Sequence, residues 1–163
     1  MTPAVILAAI LLLPSRYARG DVQAVADEIG AVSANRDEAA ALISLAWHET
    51  KFASAVMEGR CSDLHPRACD SGRALGVWQL HKQACTAAWA LASPNGGTAG
   101  QRESLREQAR CAIRLLRWNA KRGRDRARTP LHAAFAGYAA RPWNWAGAEV
   151  RVATVRAVLR RMP

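Results

Sequence analysis

Nowhere along this chain do Val, Ile and Thr alternate with polar residues over the length of a half-buried strand, and this limits the fold more than any other feature. Ala, Leu and Arg recur instead, residues that form helices at little cost. An all-α or mainly α fold follows. The 163 residues fit a single domain, 1–163, large enough to bury a core without metal or disulfide staples.

The punctuation places the helices. Ala4 to Leu13 is an unbroken apolar run, too short for the roughly 20 residues a bilayer requires. Residues 1–20 are therefore either a signal-like segment or a first helix that packs on the domain and ends near Pro14; the packed helix is preferred. Asp21 to Ile29 reads as a helix with Val22, Val25, Ala26 and Ile29 on one side, closed by Gly30. Asn35 caps the next helix, with Glu38 three residues on as in a capping box and Asp37 adding favourable negative charge. From about Phe52 to Leu75 periodicity gives way to Gly, Pro, Asp and Ser, so a loop or small β-hairpin is expected, with a helix restarting over Val77 to Leu91. After the turn-rich Ser93 to Gly100, Ser104 and Glu107 form a second capping box heading a helix whose core side is Leu105, Ala109, Ala112, Ile113 and Leu116. Two more helices are expected, over Leu131 to Ala140 and Ala148 to Met162, the latter with Val152, Val155, Leu159 and Met162 inward and Arg151, Arg156, Arg160 and Arg161 outward.

One acid is out of place in this pattern. Leu42, Leu45, Ala46 and Glu49 share a helix face, so the Glu49 carboxyl projects along a buried stripe. Partial burial disfavours the charged form, which is how a glutamate becomes a general acid near neutral pH. The plainer alternative puts Glu49 at the solvent edge, paired with Lys51 or Arg60.

Cys61, Cys69, Cys85 and Cys111 are an even set, and four cysteines allow three connectivities. Cys61–Cys69 and Cys85–Cys111 are the expected pairs, the first closing a polar loop and the second tying two helices across a longer connection. A zinc site on Cys61, His65 and Cys69 competes with this, but no paired C-x-x-C accompanies it. Buried free thiols are the other alternative. The formal charge of +10 attracts polyanions, whether nucleic acid, an anionic membrane face or an acidic wall polymer. Much of it lies in a stripe of Arg102, Arg106, Arg110 and Arg114, continued by Arg117, Lys121, Arg122, Arg124, Arg126 and Arg128.

Trp47-His48-Glu49-Thr50-Lys51-Phe52, then Ser71 and Ala74-Leu75-Gly76-Val77-Trp78-Gln79-Leu80, then Ala136-Gly137-Tyr138-Ala139 are three motifs in order. With them the chain resembles the soluble lytic transglycosylases and goose-type lysozymes over roughly Val22 to Met162. The family reads Glu-Ser-x-Phe, then a Ser with Gly-Leu-Met-Gln-Ile, then Ala-Tyr-Asn-Ala-Gly. The resemblance implies a lysozyme-like fold and a muramidase that cleaves the β-1,4 bond between N-acetylmuramic acid and N-acetylglucosamine in peptidoglycan. It implies Glu49 as the acid/base, Gln79 and the Gly76 backbone bordering the sugar, Ser71 lining the cleft and Tyr138 reaching toward Glu49. Thr50, Trp78 and Ala139 depart from the family's Ser, Met and Asn. Trp78, Trp143 and Trp145 are candidates for stacking on a pyranose ring.

Glycoside cleavage usually needs a second carboxylate at about 5 to 9.5 Å, for which Asp63 and Asp70 are the candidates. Without it, the resemblance implies lytic chemistry: Glu49 protonates the glycosidic oxygen and then deprotonates the muramyl 6-hydroxyl, closing an anhydro ring. The lytic route is narrowly favoured. No cofactor or metal is expected, and the partners are glycan strands and an anionic wall or membrane surface met by the basic face, with no specific nucleic acid. The protein is expected to be a monomer in the periplasm or outside the cell, as a phage lysis protein, a secreted antibacterial lysozyme or a wall-remodelling enzyme. The rival reading is a catalytically silent wall-binding or virion module of the same fold.

Overall fold

In the computed structural model of the chain, the order of elements is α1 (Pro3–Leu11), α2 (Val22–Val32), α3 (Arg36–Thr50), α4 (Ser54–Met57), β1 (Ala74–Leu75), β2 (Leu80–His81), α5 (Thr86–Leu91), α6 (Gly97–Arg122), α7 (Pro130–Tyr138) and α8 (Trp145–Leu159). The structure describes residues 1–61, 69, 73–91, 97–125, 127–138 and 144–162, with 97–102 described by backbone alone. It is mainly helical.

Helix α3 is the centre. Every residue from Ala39 to Ala46 is buried, so this helix has no solvent stripe in its middle turns. Its alanines let α2, α6 and α8 approach it closely. The start follows from sequence: the Asn35 side chain accepts from the Glu38 amide at 2.9 Å, and the Glu38 carboxylate accepts from the Ala34 amide at 2.7 Å. Asp21 caps α2 and Asn144 caps α8 in the same manner, each accepting from an amide three residues on at 2.9 Å.

The apolar N-terminal run forms α1, which lies against α2 and buries Ile6, Ala9 and Ile10. Gly30 does not close α2 as expected. It lies inside the helix facing Ile6 and Pro3 of α1, and α2 continues to Val32. No helix among the described residues is long and apolar enough to cross a membrane.

Two expected starts are corrected. Val77 to Gln79 do not begin a helix; they form the turn of an antiparallel hairpin in which Ala74 faces His81 and Leu75 faces Leu80. Val77 and Trp78 are fully buried, so the short apolar run reflects insertion into the core. Ser104 and Glu107 do not head a helix either, because α6 begins at Gly97. Ser104 is buried mid-helix and donates to the Ala88 carbonyl of α5 at 3.0 Å, while Glu107 pairs with Arg110. The expected core side of α6 holds, with Ala109, Ala112, Ile113 and Leu116 buried.

Both expected disulfides are present, Cys61–Cys69 and Cys85–Cys111, each with Cα atoms 5.9 Å apart. The first uses both thiols that the zinc alternative needed, and no cysteine remains free.

Candidate functional site

The chain reverses sharply just after Glu49. Lys51 and Phe52 both adopt left-handed backbone, φ 55° and 58°, a conformation costly for a lysine and more so for an aromatic residue. The reversal is held from both sides. The Lys51 amide donates to the Trp47 carbonyl at 3.0 Å, Phe52 is buried, and the Gly20 amide donates to the Phe52 carbonyl at 3.1 Å. The segment after α1 thus runs beside residues 51–54, with an antiparallel bridge between Arg19 and Ala53. Trp47 Nε1 donates to the Pro14 carbonyl at 2.7 Å and Ser15 Oγ to the Lys51 carbonyl at 3.2 Å, fixing this segment as a wall.

Between that wall and the hairpin lies a cleft of about 790 Å³, lined by Pro14 to Tyr17, His48 to Lys51, Val56, Cys69 and Gln79. Glu49 opens into it. Gln79 enters from the hairpin turn, itself in left-handed backbone at φ 50°, as is Cys69 at φ 52°. The described non-glycine residues with positive φ are Lys51, Phe52, Cys69 and Gln79, and all line or adjoin this cleft.

The partner of Glu49 is neither Lys51 nor Arg60. It is Arg151 of α8, whose Nη2 lies 2.6 Å from Glu49 Oε1, with both side chains largely shielded. Arg151, expected to face solvent, turns inward, and its Nη1 donates to the Gly147 carbonyl at 3.2 Å. Helices α3 and α8 are joined beside this pair: Ser44 Oγ donates to the Arg151 carbonyl at 2.9 Å, and His48 Nε2 meets Thr154 Oγ1 at 2.9 Å. Burial, then the charges of Lys51 and Arg151, push the His48 imidazole down to about 4, so it is neutral at ordinary pH. The Lys51 ammonium is lowered first by burial and then by Arg151 and Arg16, with Glu49 opposing.

Tyr138 is close enough to feel Glu49. Burial first, then the Glu49 charge, raises its phenol well above the usual range. Its hydroxyl donates to the Trp78 carbonyl at 2.8 Å, which ties α7 to the hairpin. The amide nitrogen of Gln79 donates to the Gly76 carbonyl at 2.9 Å, and among the described residues no group hydrogen-bonds its carbonyl oxygen.

One expected sugar contact is corrected. Trp78 is fully buried and donates from Nε1 to the Leu42 carbonyl at 3.1 Å, so it packs the core and stacks on nothing in the cleft. A second, Gly76, with φ +64°, has its missing side chain directed at Gln108 of α6, so its lack of a side chain makes room for that amide. Thr50, where the family has Ser, donates to the Ala46 carbonyl at 3.0 Å and the Val77 carbonyl at 3.2 Å, tying helix to hairpin. Asp63, Asp70, Ser71, Ala139 and Trp143 lie outside the described residues.

The basic stripe is partly spent inside the fold. Arg106 pairs with Glu28, Arg110 with Glu107 and Arg117 with Glu38, leaving Lys121, Arg122 and Arg124 exposed near the end of α6, where Arg122 lies 4.4 Å over the ring of exposed Trp118.

Sequence reasoning missed Arg151 and the wall residues Ser15, Arg16 and Tyr17. One signal for Arg151 was present: it falls three residues after Ala148 and four before Val155, both buried, so it borders the inward face of its helix.

Neither family models, curated proteins nor solved structures match this chain.

Proposed function

We propose that this protein is a peptidoglycan-cleaving muramidase of lysozyme-like fold, with Glu49 as its general acid and base. One observation carries the reading: Glu49, at the end of a buried helix, and Gln79, on a hairpin turn, open into one cleft with Tyr138 behind them. These residues come from three separate motifs that stand in the order of the lytic transglycosylases and goose-type lysozymes. The strained backbone at Lys51, Phe52, Cys69 and Gln79 supports it, since such conformations persist where a site demands them.

In this reading Glu49 gives a proton to the glycosidic oxygen and then takes one from the muramyl 6-hydroxyl, releasing an anhydro sugar; with Asp63 or Asp70 near enough, water would be the acceptor instead. Lytic cleavage is the favoured branch. Glu49→Gln keeps the shape of the site and removes the exchangeable proton. Purified sacculi should lose turbidity with the wild type and not with this variant, and undiminished clearance by the variant would remove Glu49 from the mechanism. Mass spectrometry of the released muropeptides separates the branches, anhydro ends for lytic cleavage and reducing ends for hydrolysis.

The 2.6 Å ion pair between Glu49 and Arg151 favours a second reading, a silent wall-binding module in which the carboxylate is structural. Sacculi that bind the wild-type protein without releasing muropeptides would support that alternative.

A further inference from the structure

Among the described residues, the cleft wall carries more positive charge than Glu49 balances. Arg16 and Lys51 line the cleft beside Glu49, and neither forms an ion pair with a described residue. The Glu49 carboxylate is already engaged by Arg151 at 2.6 Å. Among the described residues, each cation meets an aromatic residue and not an acid. Lys51 Nζ sits 3.4 Å over the Trp47 ring, and Arg16 Nη2 donates to the Tyr17 hydroxyl at 2.7 Å. Their backbones are braced together through Ser15, whose hydroxyl donates to the Lys51 carbonyl. Burial is the largest cause lowering the Lys51 ammonium, and the charges of Arg151 and Arg16 push it the same way. An anion entering here relieves that repulsion and meets charged donors on both cations.

We propose that Arg16 and Lys51 form a subsite for the carboxylates of the acidic peptide carried by the muramyl residue. This rests on the muramidase reading of the cleft. The chemistry fits the position, because the peptide leaves through the lactyl ether at C3 of the same muramyl ring whose C1 linkage Glu49 would cleave, and so emerges within one sugar ring of that bond. The subsite thus selects glycan that still bears its acidic peptide over glycan whose peptide carboxylates are masked.

Calorimetric titration of the full chain at low salt, with two disaccharide tetrapeptides identical except that the carboxylates of one are amidated, tests this directly. The acidic ligand should bind about tenfold more tightly, a preference of the size expected for charge-assisted hydrogen bonds in a partly shielded site. Arg16→Gln and Lys51→Asn should each shrink that preference to about threefold or less, asparagine being tolerant of the left-handed backbone at position 51. Equal affinity for the two ligands, a preference unchanged in both variants, or binding of neither ligand overturns the subsite. Cleavage of sacculi by the same preparation is scored separately. Cleavage without a charge preference sinks the subsite alone, whereas a charge preference without cleavage sinks the enzyme reading and leaves an anion-selective cleft.

Discussion

Arg151 Nη2 and Glu49 Oε1, 102 residues apart in sequence, meet at 2.6 Å and join the last turn of α3 to the middle of α8. The pair is mostly shielded, with 23% of the Glu49 side chain and 16% of the Arg151 side chain exposed, so water compensates poorly when one member is removed. Arg151→Met should therefore cost about 1.5–3 kcal/mol in chemical denaturation, the range for a hydrogen bond to a charged group. The double variant Arg151→Met/Glu49→Gln should recover part of that loss. A double variant no more stable than the single one would show that Arg151 acts through packing.

His48 gives the stability a pH dependence of definite sign. Its folded value of about 4 lies below the ordinary 6.5, so on acidification the unfolded chain takes up the proton first. Its effect is absent above about 6.5, erodes stability as pH falls toward 4, and levels off below that. Glu38, lowered chiefly by its hydrogen bond to Arg117, adds a loss beginning near and below its ordinary 4.5. Thermal melts should fall between pH 7 and 4.5, and His48→Gln, which keeps a polar partner for Thr154, should flatten that part of the curve. An equally steep fall in the variant would assign it to other groups.

The two disulfides should contribute unequally. Cys85–Cys111 spans 26 residues and Cys61–Cys69 spans 8, so chain entropy predicts about 3.5 kcal/mol for the first against about 2.5 kcal/mol for the second. Paired Cys→Ser variants compared by denaturant midpoint check the order. A reversed order would mean that the short loop does more than restrict the unfolded chain.

Gly76→Ala should be destabilising beyond the roughly 1 kcal/mol of the backbone penalty, because a methyl group at φ +64° also runs into the Gln108 side chain. Combining it with Gln108→Ala should relieve the steric part and leave the backbone part. Additive losses in the double variant would refute the clash.

Ile10 and Ile6 are completely buried between α1 and the rest of the core, so Ile10→Ala should cost about 2–5 kcal/mol. A change below about 0.5 kcal/mol, the range of ordinary surface substitutions, would mean that α1 does not pack in solution.

Features set by local hydrogen bonds were the ones legible in the sequence. Asn35 with Glu38, and Asp21, needed only neighbours within four residues to declare a helix start. Ser104 and Glu107 show the same pattern and mislead, because Ser104 uses its hydroxyl on Ala88 across the fold and the helix begins about two turns earlier. Val77-Trp78 failed for another reason: a short apolar run has no period, and burial in a hairpin turn looks like burial on a helix face. In the candidate site, Glu49 and Gln79 were legible as motif residues; spacing placed Arg151 only at the inward edge of α8 without naming its partner, and the wall at residues 14–17 depends on tertiary contacts that no local spacing encodes.

The wall from Pro14 to Tyr17, the acid at the end of α3 and the guanidinium on α8 bring distant parts of the chain to one place. During synthesis the first two are made early, but α8 leaves the ribosome after every other helix described. A nascent chain therefore carries Glu49 without its counter-ion until α8 docks against α3. Completion of the cleft is thus a late event in the life of the molecule, and a chain stalled before α8 would hold the acid with nothing to orient it.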